Sequence, residues 1–220
     1  GKKSKMKAAL FQHMMLLDLV AEIGGSSLGF IMEIPLSHYS MSISLAFKKT
    51  TILIFISELL SKSIAESEPD KIIFNYVYDS MILLDEAVSG YADFPIIFAM
   101  RLSYYLGFFP NLDTYTEGSC FDLLDGSFKR GSNDIYQIDV ELSKVFYQLS
   151  VISYQSSAIS QVFRFSDSQI QNNSQIFNFS VSQILKTRRQ LLESVVTYYK
   201  LHSDNVREIK SIEVLREMYG

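Results

Sequence analysis

Cysteine is nearly absent: 220 residues hold one, Cys120. A single thiol excludes an internal disulfide and a cysteine-built zinc cage from this chain alone. It also fits a reducing compartment. Glycine and proline are scarce, at 10 and 4. A loop-rich all-β fold needs more turn residues than that, so the scarcity points to helices. No apolar run reaches the ~18 residues that cross a bilayer; Ile52–Ile56, for example, is flanked by Lys49, Glu58 and Lys62. The opening stretch is basic and polar, unlike a secretory signal. Walker A, G-x-S-x-G and H-E-x-x-H sequences are missing. His13, His38 and His202 are scattered without metal spacing. Cys120 lies near Asp122 and Asp125 with no histidine close by, which disfavours a thiolate nucleophile. No catalytic or metal-binding constellation is gathered by these residues, so neither an enzyme nor a cofactor is expected.

What is present suits a packed core. Hydrophobic residues make up 48% and charged residues 20%, the balance of a globular chain with one sizeable domain or two unequal ones. The net charge of -4 is unevenly spread. Lys2, Lys3, Lys5 and Lys7 put four cations in the first seven residues, with no acid before Asp18. From Glu58 to Glu141 fifteen acids face five bases, and from Lys144 onward nine bases face six acids. The chain is basic at both ends and acidic between them.

In chain order, Met14–Ile23 and Leu28–Leu36 are apolar runs about Gly24-Gly25-Ser26-Ser27, the pattern of a β-hairpin. A lone hairpin is marginal in water, so its sheet is expected to have further strands outside this chain. Helical spacing then predicts helices over about 45–64, 70–88, 94–106 and 139–154. The third is expected to turn Phe94, Ile97, Phe98, Leu102 and Tyr105 to one side, and to end at Gly107 with Pro110 beyond. Between the third and fourth, residues 108–137 are irregular, with a small hairpin predicted to turn at Asp125-Gly126. A last long helix over 185–199 shows Leu191, Leu192, Val195, Val196 and Tyr199 on one stripe, and is expected to be the element around which the bundle is organised. Ser211 is an N-cap candidate for a final short helix. The fold class is mainly α: a helical bundle with an N-terminal hairpin and a small β insertion, joined by short antiparallel links.

Several segments in order resemble the RecO family of bacterial recombination mediators, in wording like that of Bacteroidetes-like bacteria. They are Ser4-Lys5-Met6-Lys7-Ala8-Ala9-Leu10-Phe11-Gln12, Ile56-Ser57-Glu58-Leu59-Leu60 with Glu68-Pro69, and Leu102-Ser103-Tyr104-Tyr105-Leu106-Gly107-Phe108. Phe121-Asp122-Leu123 with Gly126, Tyr199-Lys200-Leu201-His202 and Ile209-Lys210-Ser211-Ile212-Glu213-Val214-Leu215 follow. The resemblance implies that residues 1–38 are the C-terminal part of a truncated OB-fold domain. It makes 39–220 a helical domain with a zinc-finger-like insertion near 108–137. Many members carry four cysteines in that insertion, where this chain has Cys120 alone, so the zinc ligands are lacking. His13 stands where relatives often have proline, and residues 36–50 match poorly.

The function implied is DNA repair: binding and annealing of single- and double-stranded DNA and, with RecR, loading of RecA onto strands coated by single-strand-binding protein. The implied location is the bacterial cytoplasm, at the nucleoid and away from membranes. Lys2, Lys3, Lys5 and Lys7 supply the mobile cations that phosphate binding needs; Arg188 and Arg189 would extend the path. Arg101 beside Phe98 has the chemistry for the acidic, Phe-terminated tail of single-strand-binding protein. By charge alone, a solvated basic arm, a solvated helix face and an ion-paired Arg101 fit these residues as well. The alternative from another class is a helical protein-interaction module without nucleic-acid binding.

Overall fold

The run Phe94-Pro95-Ile96-Ile97-Phe98-Ala99-Met100 offers water no polar side chain on any face. A helix of that composition is stable only where other elements surround it. The computed structural model describes residues 14–22, 29–33, 46–64, 70–88, 91–131, 134–155 and 181–218, with backbone alone for 181–186. Strands β1 (Val20–Glu22) and β2 (Phe30–Glu33) come first, followed by α1 (Phe47–Ser63), α2 (Lys71–Glu86) and α3 (Phe94–Tyr105). The hairpin β3 (Cys120–Asp122) and β4 (Ser127–Lys129) separates α3 from α4 (Val140–Gln155), and α5 (Val181–His202) and α6 (Ile212–Met218) follow. The mainly α class, the six helical segments and both hairpins are as expected from sequence.

The centre is not. Nine of the twelve residues of α3 are buried, and α1, α2, α4 and α5 all pack against it. The expected one-sided stripe is therefore too narrow, because Pro95, Ile96, Ala99 and Met100 are inside as well. Two tyrosines, from α2 and α5, donate to successive α3 carbonyls: Tyr76 Oη to Phe98 O at 2.8 Å and Tyr199 Oη to Ala99 O at 2.6 Å. Pro95 sits in the first helical turn, where its missing N–H costs no helical bond. At the other end Gly107 takes φ +85, its N–H donates to Tyr104 O, and Phe108 N–H donates to Ser103 O. That pair of bonds closes the helix as a Schellman motif, which a residue with a Cβ forms only under strain.

Other helix ends are closed across the tertiary structure. Asp70 caps α2 locally, accepting from Ile72 N at 2.7 Å and Ile73 N at 3.0 Å. At its far end, Lys49 of α1 donates to Asp85 O at 2.8 Å while its side chain is buried. A cation there offsets the negative end of the helix dipole. Burial pulls the Lys49 pKa down, and the charge of Asp85 opposes that. Ser211 does not cap α6 with its hydroxyl as expected. Its Oγ and N both donate to Glu58 Oε2, at 2.6 and 2.8 Å, and Lys210 N donates to Glu58 Oε1 at 3.0 Å. The anion at this helix start comes from α1.

In the first hairpin β1 and β2 pair antiparallel, with a bulge between Val20 and Ala21. Residues 14–19 of the first apolar run lie outside β1, and all residues of β1 and β2 are exposed. The second hairpin pairs Phe121 with Phe128 and turns through 123–126. Phe121 is fully buried, stacking on Phe146 of α4 at 4.4 Å and lying 5.6 Å from Tyr198 of α5. The insertion thus shares the core of the bundle. Gly126 has φ +66, and a Cβ there would come within 2.7 Å of Tyr198 Oη. Gly126→Ala should therefore destabilise the fold by about 1–3 kcal/mol, read as a lower urea midpoint with unchanged slope.

Candidate nucleic-acid interface

The arm carrying Lys2, Lys3, Lys5 and Lys7 lies outside the described residues. The other two basic candidates lie in the first half of α5 and differ in their engagement. Arg188 forms a two-point pair with Asp93 in the turn before α3: Nε to Oδ1 at 2.6 Å and Nη2 to Oδ2 at 2.9 Å. That geometry commits the guanidinium to holding α5 on α3. Arg189 is half-exposed and meets Glu193 one turn on at 3.5 Å, a solvated contact of small energy. The two adjacent arginines therefore do not act as a matched pair.

Arg101 and Phe98 are not brought together as a surface pair. Phe98 is 1% exposed and lies between Tyr76, at 5.1 Å, and Phe94, at 6.2 Å. Arg101 closes the C-terminal end of α4: Nη1 donates to Ser153 O at 3.1 Å and to Tyr154 O at 2.9 Å, while Nε donates to Tyr105 Oη at 3.3 Å. Its guanidinium also stands over the rings of Tyr104 and Tyr105, at 4.9 and 5.1 Å.

Around it the ends of α3 and α4 gather aromatic rings that periodicity did not single out. Tyr104 meets Phe109 edge-on at 5.8 Å and Tyr154 at 5.6 Å, and Phe109 stacks on Tyr154 at 5.8 Å. A sequence signal did exist in the doublets Tyr104-Tyr105 and Phe108-Phe109. Adjacent helical residues point about 100° apart, so when Tyr105 packs inward Tyr104 is left at the surface.

The insertion does not fit a zinc ion. Cys120 is its sole cysteine, and among the described residues no three of His, Cys, Asp and Glu converge on one point. The Lys129 ammonium instead lies between Asp122 and Asp125, 2.9 Å from Asp122 Oδ2 and bonded to Asp125 Oδ2. Asp122 Oδ1 accepts from Leu124 N and Asp125 N. Burial would raise the Asp122 carboxyl, but these bonds and Lys129 hold it below its usual value. The two acids push Lys129 up to about 12. His202 Nε2 lies 2.9 Å from Leu123 O, with its ring stacked on Phe108. A chelator should leave the melting temperature unchanged, since the turn is held by lysine and packing.

The described residues form an α-helical scaffold that sets Arg101 beside two half-exposed tyrosines, Tyr104 and Tyr154. The family described as Recombination protein O C terminal matches residues 45–211, the span from just before α1 to the start of α6. The chain belongs to that RecO family. It is 28% identical over 222 residues to the DNA repair protein RecO of Bacteroides fragilis, covering all of this chain and 83% of that one. The DNA repair protein RecO of Christiangramia forsetii is also 28% identical, over 224 residues, with the same coverage. That of Azobacteroides pseudotrichonymphae is 28% identical over 172 residues, 78% of this chain. The match spans 63% of that relative's length. No solved structure matches the chain.

Proposed function

We propose that this chain acts in DNA repair as a recombination mediator. It binds single- and double-stranded DNA without sequence preference and anneals complementary strands. With RecR it helps RecA load onto strands coated by single-strand-binding protein, working in the cytoplasm at the nucleoid. It makes and breaks no bond. The observation that carries this reading is the end-to-end likeness to relatives named as DNA repair protein RecO. Residues 1–38 are assigned to an OB-fold domain and 39–220 to the helical domain. The family match beginning at residue 45 and the exposed β1–β2 hairpin support that division.

Grip on the strand comes mainly from Lys2, Lys3, Lys5 and Lys7, which have no acid near them in sequence. Each phosphate they neutralise releases condensed counterions, a gain that added salt removes. Arg189, half-exposed and weakly paired, adds to the path more readily than Arg188, which Asp93 holds.

The test is a salt titration of binding to a dT oligonucleotide and to a duplex. Affinity should fall steeply with salt. Changing the four lysines to alanine should lower the single-strand slope by up to about 3, near 0.7 for each phosphate no longer neutralised. Binding too weak to detect at low salt would instead favour a protein-interaction module without a nucleic-acid role.

A further inference from the structure

We propose that the joined ends of α3 and α4 form a stacking platform for unpaired nucleic-acid bases, with Tyr104 and Tyr154 as the faces and Arg101 as the adjoining cation. This rests on the reading that the chain binds single strands, and adds to it a second contact area on the helical body.

Other aromatic residues of this body are enclosed: Phe98, Tyr198 and Tyr199 are exposed by 3% or less. Tyr104 is 43% exposed and Tyr154 51%, yet their rings are in contact at 5.6 Å with a 70° angle between planes. Phe109 packs beneath both and steadies them. The result is two differently tilted open faces fixed on rigid helix ends. Every base has a flat π-face, so such surfaces take single strands without regard to sequence.

The charge is of the right sign. Arg101 bonds to two carbonyls and a tyrosine hydroxyl, and among the described residues no carboxylate pairs with it. Arg188 and Arg189 each face an acid. The C-terminal ends of α3 and α4 each carry roughly half a negative charge, which the full positive charge of the guanidinium offsets. The guanidinium itself stands 4.9 Å from the Tyr104 ring, where a phosphate next to a stacked base would sit. A peptide strand fits less well. The carbonyls of Ser153 and Tyr154 that it would use as main-chain acceptors already hold Arg101.

The experiment compares the unaltered protein with Tyr104→Ala/Tyr154→Ala and Tyr104→Phe/Tyr154→Phe by anisotropy of labelled dT oligonucleotide and of duplex. Circular dichroism melts confirm that both variants fold. The alanine pair should weaken dT binding at least about tenfold. Its salt slope and duplex affinity should stay unchanged, and the phenylalanine pair should bind as the unaltered protein does. Equal dT affinity of the alanine pair and the unaltered protein would remove the platform while leaving the lysine-based reading intact. Equal losses on dT and duplex would make the tyrosines structural and overturn it as well. So would loss of an acidic, Phe-terminated peptide with dT binding kept. Absence of dT binding by the unaltered protein at low salt would end both readings.

Discussion

Phe98→Ala should lower the unfolding free energy by about 3–5 kcal/mol and leave the DNA affinity of the folded fraction where it was. The ring is 1% exposed and touches Tyr76 and Phe94 within the central helix. Its removal loses apolar burial and opens a cavity that four surrounding helices collapse only in part. For a chain of this size each kcal/mol moves the midpoint by roughly 2–4 °C, so the melting temperature should drop by about 6–20 °C. Partner binding through Phe98 makes the opposite forecast: an unchanged melt and a weaker complex. A thermal melt beside a binding curve separates them, and an unaltered melting temperature would mean that α3 is not the centre of the fold.

The second large effect concerns Glu58, the α1 carboxylate at the start of α6. Burial alone would raise its pKa, but hydrogen bonds from Lys62, Ser211 and Lys210 outweigh that and hold it at about 2. A carboxyl depressed in the folded state stabilises above its unfolded value, near 4.5, and that contribution fades as pH falls from there through about 2. Glu58→Ala strands the N–H groups of Lys210 and Ser211 and the hydroxyl of Ser211. It should cost about 2–3 kcal/mol at neutral pH. The difference in stability between the two proteins, followed by urea unfolding from pH 7 down to pH 2, should shrink with acid. A gap that stays constant over that range would show that the contact acts through packing rather than charge.

Helix positions were legible because half-buried helices announce themselves. Leu142, Val145, Phe146 and Leu149 in α4 and Leu191, Leu192, Val195, Val196 and Tyr199 in α5 recur at helical spacing, and all are buried. Gly107 and Gly126 marked a stop and a turn because only glycine takes those positive φ values cheaply. The order of importance among helices was not legible. α5 shows the clearer stripe and so looked central, whereas α3 is apolar all round and shows no preferred side. The candidate site was legible only in its residue types. Arg101 takes the end of a helix 52 residues further on, and Arg188 takes an acid 95 residues back. Glu58 meets Ser211 across 153 residues. Pairings at such separations leave no periodic trace.

Taken alone, the order of amino acids determined a helical body with two small hairpins, a polarised charge pattern and a RecO-like wording, since each is written in local spacing or composition. Folding in three dimensions decided which helix is enclosed, which arginine is tied to an acid and which to carbonyls, and which tyrosines stay in water. The physical reason is that burial and ion pairing depend on which distant segments meet, and that is set by how whole helix surfaces fit together rather than by any stretch of the chain.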